Sequence, residues 1–104
     1  MATIGTFTRD KDGYVGTIRT LSVNVKARIV PNTAKTSDGA PDFRVMAGAA
    51  ELGAAWSARA DGENPRDYLS VRLDDPGFPE PVHAALFEGD GQAHLVWSRR
   101  RLRP

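Results

Sequence analysis

Residues 21–29 (Leu-Ser-Val-Asn-Val-Lys-Ala-Arg-Ile) alternate apolar and polar side chains without a break. Leu21, Val23, Val25, Ala27 and Ile29 fall on one face, and Ser22, Asn24, Lys26 and Arg28 on the other. A period of two with β-branched residues marks a half-buried strand. No stretch of the chain sustains a period of 3.6, and no internal repeat is present. Short alternating runs separated by turn residues predict an all-β fold, a small antiparallel barrel or sandwich of about six to seven short strands.

The flanking segments fit that class. Residues 3–9 and 14–20 read as a hairpin across Asp10-Lys11-Asp12-Gly13, with Gly13 expected to supply a positive φ. Tyr14, Gly16 and Ile18 use even positions, whereas the next run uses odd ones. The slip near Thr20 implies either a β-bulge or a break between two strands. Residues 31–41, bounded by Pro31 and Pro41, form the longest connection, either a surface loop or one that carries function. Residues 42–48 resume as a strand with Phe43, Val45 and Ala47 on one face. Residues 47–58 are alanine-rich, so a helix competes there. Gly48, Gly53 and the alternation of Leu52, Ala54, Trp56 and Ala58 favour a strand. Residues 82–88 and 92–98 flank Gly89-Asp90-Gly91, a hairpin signal. A loop at Asp90-Gly91 pairs Gly89 with Gln92, Leu86 with Leu95 and Ala84 with Trp97. Ala84, Leu86, Leu95 and Trp97 then share one face, and Ala85, Phe87, His94 and Val96 the other.

Residues 51–81 hold the densest local signal. Setting Arg59 opposite Arg66 pairs Trp56 with Leu69, Ala54 with Val71 and Leu52 with Leu73, a coherent core face. Trp56 and Trp97 are expected in the core. The opposite face would carry Gly53, Ala55, Ser57 and Ser70 among Tyr68, Arg72, Arg59 and Arg66. Small residues admit a flat ring, and an aromatic flanked by arginines can stack a base and hold phosphates. The plainer alternative is a solvated face. Asp74-Asp75-Pro76-Gly77 reads as a turn, with the aspartates bonding nearby amides.

The 104 residues suffice for one domain, taken as residues 1–98, followed by a basic tail at 99–104. Net charge is +1, so no global field draws the chain to polyanions. The charge is uneven: Arg99, Arg100, Arg101 and Arg103 stand in the last six residues, and without them the balance is 10 − 13 = −3. The tail is either a solvated terminus or a phosphate-contacting arm. The absence of cysteine removes thiolate and disulfide chemistry and fits a reducing cytoplasm. No apolar run approaches a membrane span, and the start lacks the pattern of a signal peptide. No nucleophile elbow, phosphate-binding glycine loop or metal-ligand spacing is present, and His83 and His94 stand alone. Asp10-x-Asp12-Gly13 places its glycine too early for a calcium loop. The expectation is a protein without enzymatic activity, bound metal or cofactor.

Several segments resemble a small bacterial family known as domain of unknown function 736. They are Ile4-Gly5-Thr6-Phe7, Gly13-Tyr14-Val15-Gly16-Thr17-Ile18-Arg19-Thr20-Leu21, Asn24-Val25-Lys26-Ala27-Arg28-Ile29-Val30-Pro31 and Ala40-Pro41-Asp42-Phe43-Arg44-Val45. Glu51-Leu52-Gly53-Ala54-Ala55-Trp56, Tyr68-Leu69-Ser70-Val71-Arg72-Leu73-Asp74-Asp75-Pro76 and Trp97-Ser98-Arg99-Arg100 continue the likeness. It covers nearly the whole chain in order. The resemblance implies a setting on bacterial plasmids and integrative elements, and it brings no activity or site residues. The chain departs from the family's more basic turn after the tryptophan, because Asp61-Gly62-Glu63-Asn64 makes the tip acidic.

Two functions follow as expectations. One is a nucleic-acid-binding module of mobile elements that prefers single strands, using Gly53, Arg59, Arg66, Tyr68 and Arg72 with Arg99, Arg100 and Arg101. The other is a protein-interaction or inhibitor module acting on a host defence or restriction complex, suggested by the acidic body and the apolar second face of the last hairpin. Homodimerisation through an edge strand is compatible with both.

Overall fold

The computed structural model describes residues 2–21, 23–33, 37–60, 66–89 and 91–97. Eight antiparallel strands follow one another around a closed barrel, each bonded to the next and β8 bonded to β1. They are β1 (Ala2–Asp10), β2 (Gly13–Arg19), β3 (Asn24–Pro31), β4 (Phe43–Ala47), β5 (Ala50–Ala60), β6 (Arg66–Leu73), β7 (Val82–Glu88) and β8 (Ala93–Trp97). The all-β class is as expected, with eight strands where about six to seven were predicted. The slip at Thr20 is a break between strands: Arg19 pairs with Asn24, and the Thr20 amide donates to the Val23 carbonyl at 2.7 Å. Leu21 therefore sits in the turn, fully exposed, instead of on the buried face. The alanine-rich stretch is a strand, which completes the ring.

Alternation fills the interior. Phe7, Ile18, Ile29, Val45, Val71, Leu86 and Leu95 are the largest fully buried side chains, contributed by seven of the eight strands. Closure leaves no strand edge, so the edge-pairing route to a homodimer has no edge to use among the described residues. The hairpin of β7 and β8 has the predicted register, Leu86 with Leu95 and Ala84 with Trp97, and the Gly89 amide donates to the Gln92 carbonyl at 2.7 Å. Asp90 lies outside the described residues. In the first hairpin the positive φ falls on Lys11 (φ 54°), not on the predicted Gly13.

Two strands carry one residue more than their partners. Thr3 faces Val96 and Gly5 faces Leu95, so Ile4 is extra in β1. Val45 faces Gly53 and Met46 faces Glu51, so Leu52 is extra in β5. Such bulges bend a strand and re-aim a side chain. Both Ile4 and Leu52 line the same apolar recess at one pole of the barrel. The proline-rich connection from β6 to β7 covers that pole with Phe78, which is half-buried against the core. Asp75 shapes the connection as expected, its carboxylate accepting the Gly77 amide at 2.9 Å.

Candidate functional site

The central hairpin is one residue out of the predicted register. Ala60, not Arg59, faces Arg66, so Ala55 pairs with Val71, Ser57 with Leu69 and Gly53 with Leu73. Ala55 is buried, and a Cβ on Gly53 would run into the Arg72 carbonyl oxygen. Gly53 is thus an inward position where backbones approach closely, not part of an open face. The shift carries Trp56 out of the expected core to the outer surface of the barrel, opposite Ser70. The physical reason is room. A closed ring of eight strands already filled by the large residues of its neighbours accepts small side chains at 53 and 55.

On the outside, β5, β6 and β7 build an aromatic–arginine face. The Arg72 guanidinium lies 5.6 Å from the centre of the Trp56 ring. Four residues from Arg72 along β6, Tyr68 stacks on Phe87 of β7, with ring centres 5.2 Å apart and planes inclined by 29°. Arg66 lies 4.9 Å from the centre of Phe87 and donates to the Glu88 carbonyl at 2.8 Å, which fixes its position. Between the two clusters the outward residues are Ser70 and Ala85, which face each other. Trp56, Tyr68 and Phe87 are each half-buried, and Ser70 between them is exposed.

The long connection after β3 holds this face in place. The Trp56 indole N–H donates to the Gly39 carbonyl at 3.1 Å. The Asp42 carboxylate accepts the Ser57 amide at 2.9 Å, and the Asp42 amide donates to the Ala55 carbonyl at 2.9 Å. Asn32 ties the two ends of the connection together, its side-chain amide donating to the Pro41 carbonyl at 2.9 Å. The connection that the sequence marks as either plain or functional therefore orients a tryptophan.

Three of the predicted site residues, Arg66, Tyr68 and Arg72, come together on this face. Arg59 does not join them: it sits at the other pole, paired with Asp67 at 3.3 Å with both side chains well exposed. Arg99, Arg100 and Arg101 lie outside the described residues, as does the acidic tip at 61–64. Phe87 and Trp56 were missed. Phe87 was legible as an outward residue of the last hairpin, but its contact with Tyr68 depends on the register across the eight-residue connection from β6 to β7.

Two arginines elsewhere on the barrel are locally neutralised. Arg9 bonds Glu88 at 3.1 Å and the Tyr14 hydroxyl at 2.9 Å. Arg44 bonds Glu51 at 3.1 Å, and that carboxylate holds the guanidinium more firmly in its charged form. Burial pushes the Tyr14 phenol above its ordinary range; Glu88 adds to the rise and Arg9 opposes it.

The fold and this face together define a small closed β-barrel with an external aromatic–arginine face. The chain belongs to the family described as Protein of unknown function (DUF736), whose model matches residues 3–100. No curated protein and no solved structure matches it.

Proposed function

We propose that this protein is a non-enzymatic nucleic-acid-binding module that takes single strands on the outer face of β5–β7. One observation carries the reading: the Arg72–Trp56 pair and the Tyr68–Phe87–Arg66 cluster share an open sheet face. Aromatic rings accept unstacked bases regardless of sequence, and the arginines beside them neutralise phosphates. Trp56 stands level with Ser70, two residues along β6 from Tyr68, so the two ring systems are offset by about 7 Å along the strands and two unstacked bases fit side by side on them. Arg99, Arg100 and Arg101 would add phosphate contacts. The plasmid and integrative-element setting implied by the resemblance agrees with such a module and is part of the proposal.

Fluorescence anisotropy of labelled single-stranded DNA and RNA tests it. Binding is expected at low salt, with log affinity falling linearly against log salt at about −0.7 per phosphate contact. An unchanged anisotropy for both strands at low salt and micromolar protein ends the reading. The second reading, a protein-interaction or inhibitor module, is then favoured by the half-buried Ala58, Ala85 and Val96 that give the same face an apolar floor.

A further inference from the structure

The opposite side of the barrel carries a feature that neither the motifs nor the aromatic face absorb. Every arginine of β1 and of β4–β6 has a partner: Arg9 with Glu88, Arg44 with Glu51, Arg59 with Asp67, Arg66 with Phe87 and Arg72 with Trp56. Arg19, Lys26 and Arg28 are exposed and have no carboxylate partner among the described residues. They stand together. Lys26 and Arg28 are successive outward residues of β3, and Arg19 faces Asn24, the outward residue before Lys26.

The surroundings suit an anion. The outward positions of β2 and β3 are Val15, Thr17, Arg19, Asn24, Lys26, Arg28 and Val30, with no carboxylate among them. The acids nearest in register stand at the margins: Glu51 is held by Arg44, and Asp10 ends β1 two residues beyond Thr8, opposite Gly13. Thr17 lies directly between Thr6 and Lys26, and Val15 between Thr8 and Arg28. A shallow groove runs over these residues, lined by Thr6, Thr8, Thr17, Lys26 and Arg28. Cations with hydroxyl donors between them are the usual contacts to a phosphate backbone.

We propose that the outer face of β1–β3 is a second, sequence-indifferent nucleic-acid site that takes the phosphate backbone of a duplex. Charge complementarity carries it: three unpaired cations and a row of threonines, with no aromatic ring on which bases could stack. A backbone held this way keeps its bases paired and needs no unstacking, unlike a strand held on β5–β7. Strands β2 and β6 are four apart in a ring of eight, so the two faces point in opposite directions. One barrel would then hold a duplex on one side and a single strand on the other. That bridging rests on the single-strand reading; the duplex site does not.

The test is anisotropy of a labelled blunt-ended duplex with the whole chain. Wild-type protein is expected to bind at low salt. The variant K26E/R28E is expected to lose at least about tenfold in affinity and to flatten the salt slope by about two units, because each contact contributes about 0.9. The neutral variant K26Q/R28Q, at exposed positions, checks that the loss is not unfolding, with circular dichroism as the control. W56A/Y68A is expected to keep duplex affinity. Wild-type affinity and slope in K26E/R28E, no duplex binding by wild type, or loss of duplex binding in W56A/Y68A would each overturn the second site. Energy transfer between a labelled duplex and a labelled single strand reports bridging; its absence while each binds separately overturns that consequence. Failure of single-strand binding alone sinks the β5–β7 reading and leaves the duplex site standing.

Discussion

Arg72 lies over the Trp56 ring at 5.6 Å, on neighbouring strands of one outer face, while Gly39 holds the indole N–H from the far side of a long connection. A tryptophan placed outside a barrel and fixed at its edge is ordered before any ligand arrives. If bases stack there, W56A should weaken single-strand binding by about 1–3 kcal/mol, roughly 5- to 150-fold. Trp56→Phe should keep much of the affinity. Arg72→Gln should act differently, flattening the salt slope by about 0.7 and leaving the high-salt affinity nearly unchanged. Anisotropy titrations over a salt series separate the two.

The Tyr68–Phe87 stack joins β6 to β7 outside the barrel at a ring separation of 5.2 Å. Aromatic pairs of this geometry couple by about 0.5–1.5 kcal/mol beyond their area burial. A double-mutant cycle of Tyr68→Ala and Phe87→Ala in urea unfolding should return a coupling in that range. A coupling near zero would show that the stack contributes nothing to stability and would leave both rings free to rearrange around a ligand.

How far the sequence discloses the barrel depends on where register information is local. The last hairpin was legible to the residue, because the Asp-Gly signal in the sequence implies which residues face each other across it. The central hairpin was misplaced by one position: five residues connect Ala60 to Arg66, so the Asp61-Gly62 pair within them does not set the register as a two-residue loop would, and apolarity pulled Trp56 inward. Period-2 patterning assigns faces only after register is set, and a one-residue slip exchanges them. The bulges at Ile4 and Leu52 leave no composition signal. Closure itself is a property of all eight pairings, so the alternation of any one strand could announce a curved sheet but not a ring. The contact between Tyr68 and Phe87, and the clustering of Arg19, Lys26 and Arg28, follow from those pairings and are invisible until they are known.

Close approach of backbones gives a sharper stability prediction. Gly16 of β2 faces Phe7 of β1, and a Cβ there would run into the Thr6 carbonyl oxygen and crowd the Phe7 ring at 2.8 Å. Phe7 is fully buried and cannot retreat without disturbing the core. Gly16→Ala should therefore destabilise the barrel by about 1–3 kcal/mol or more, as overpacking does. Gly39→Ala provides the control, since nothing lies within 4 Å of a Cβ at that position. Its denaturation midpoint should stay close to that of the wild type, and equal midpoints for the two variants would contradict the close packing of β1 on β2.

Tyr14 gives a pH dependence with a defined sign. Its phenol is raised above the ordinary value of 10.0, first by burial, then by the negative charge of Glu88, against the opposing pull of Arg9. The neutral form is favoured in the folded barrel, so the fold binds this proton more tightly than the unfolded chain does. The stability that results is fully present below the unfolded value of 10.0 and is lost as pH rises through the higher folded value. Urea unfolding across the alkaline range should show this loss, and the variant Tyr14→Phe, which has no proton to give up, should lack that component of it. Removing Glu88 as Glu88→Gln should lower the folded phenol pKa by withdrawing a repulsive charge, while also breaking the Arg9 ion pair at 3.1 Å. Phenolate absorbance recorded during the titration reads the midpoint directly. A Tyr14 midpoint at or below its value in the unfolded chain would show that the ring is solvated and that the pole between Arg9 and Glu88 is more open than its 9% exposure indicates.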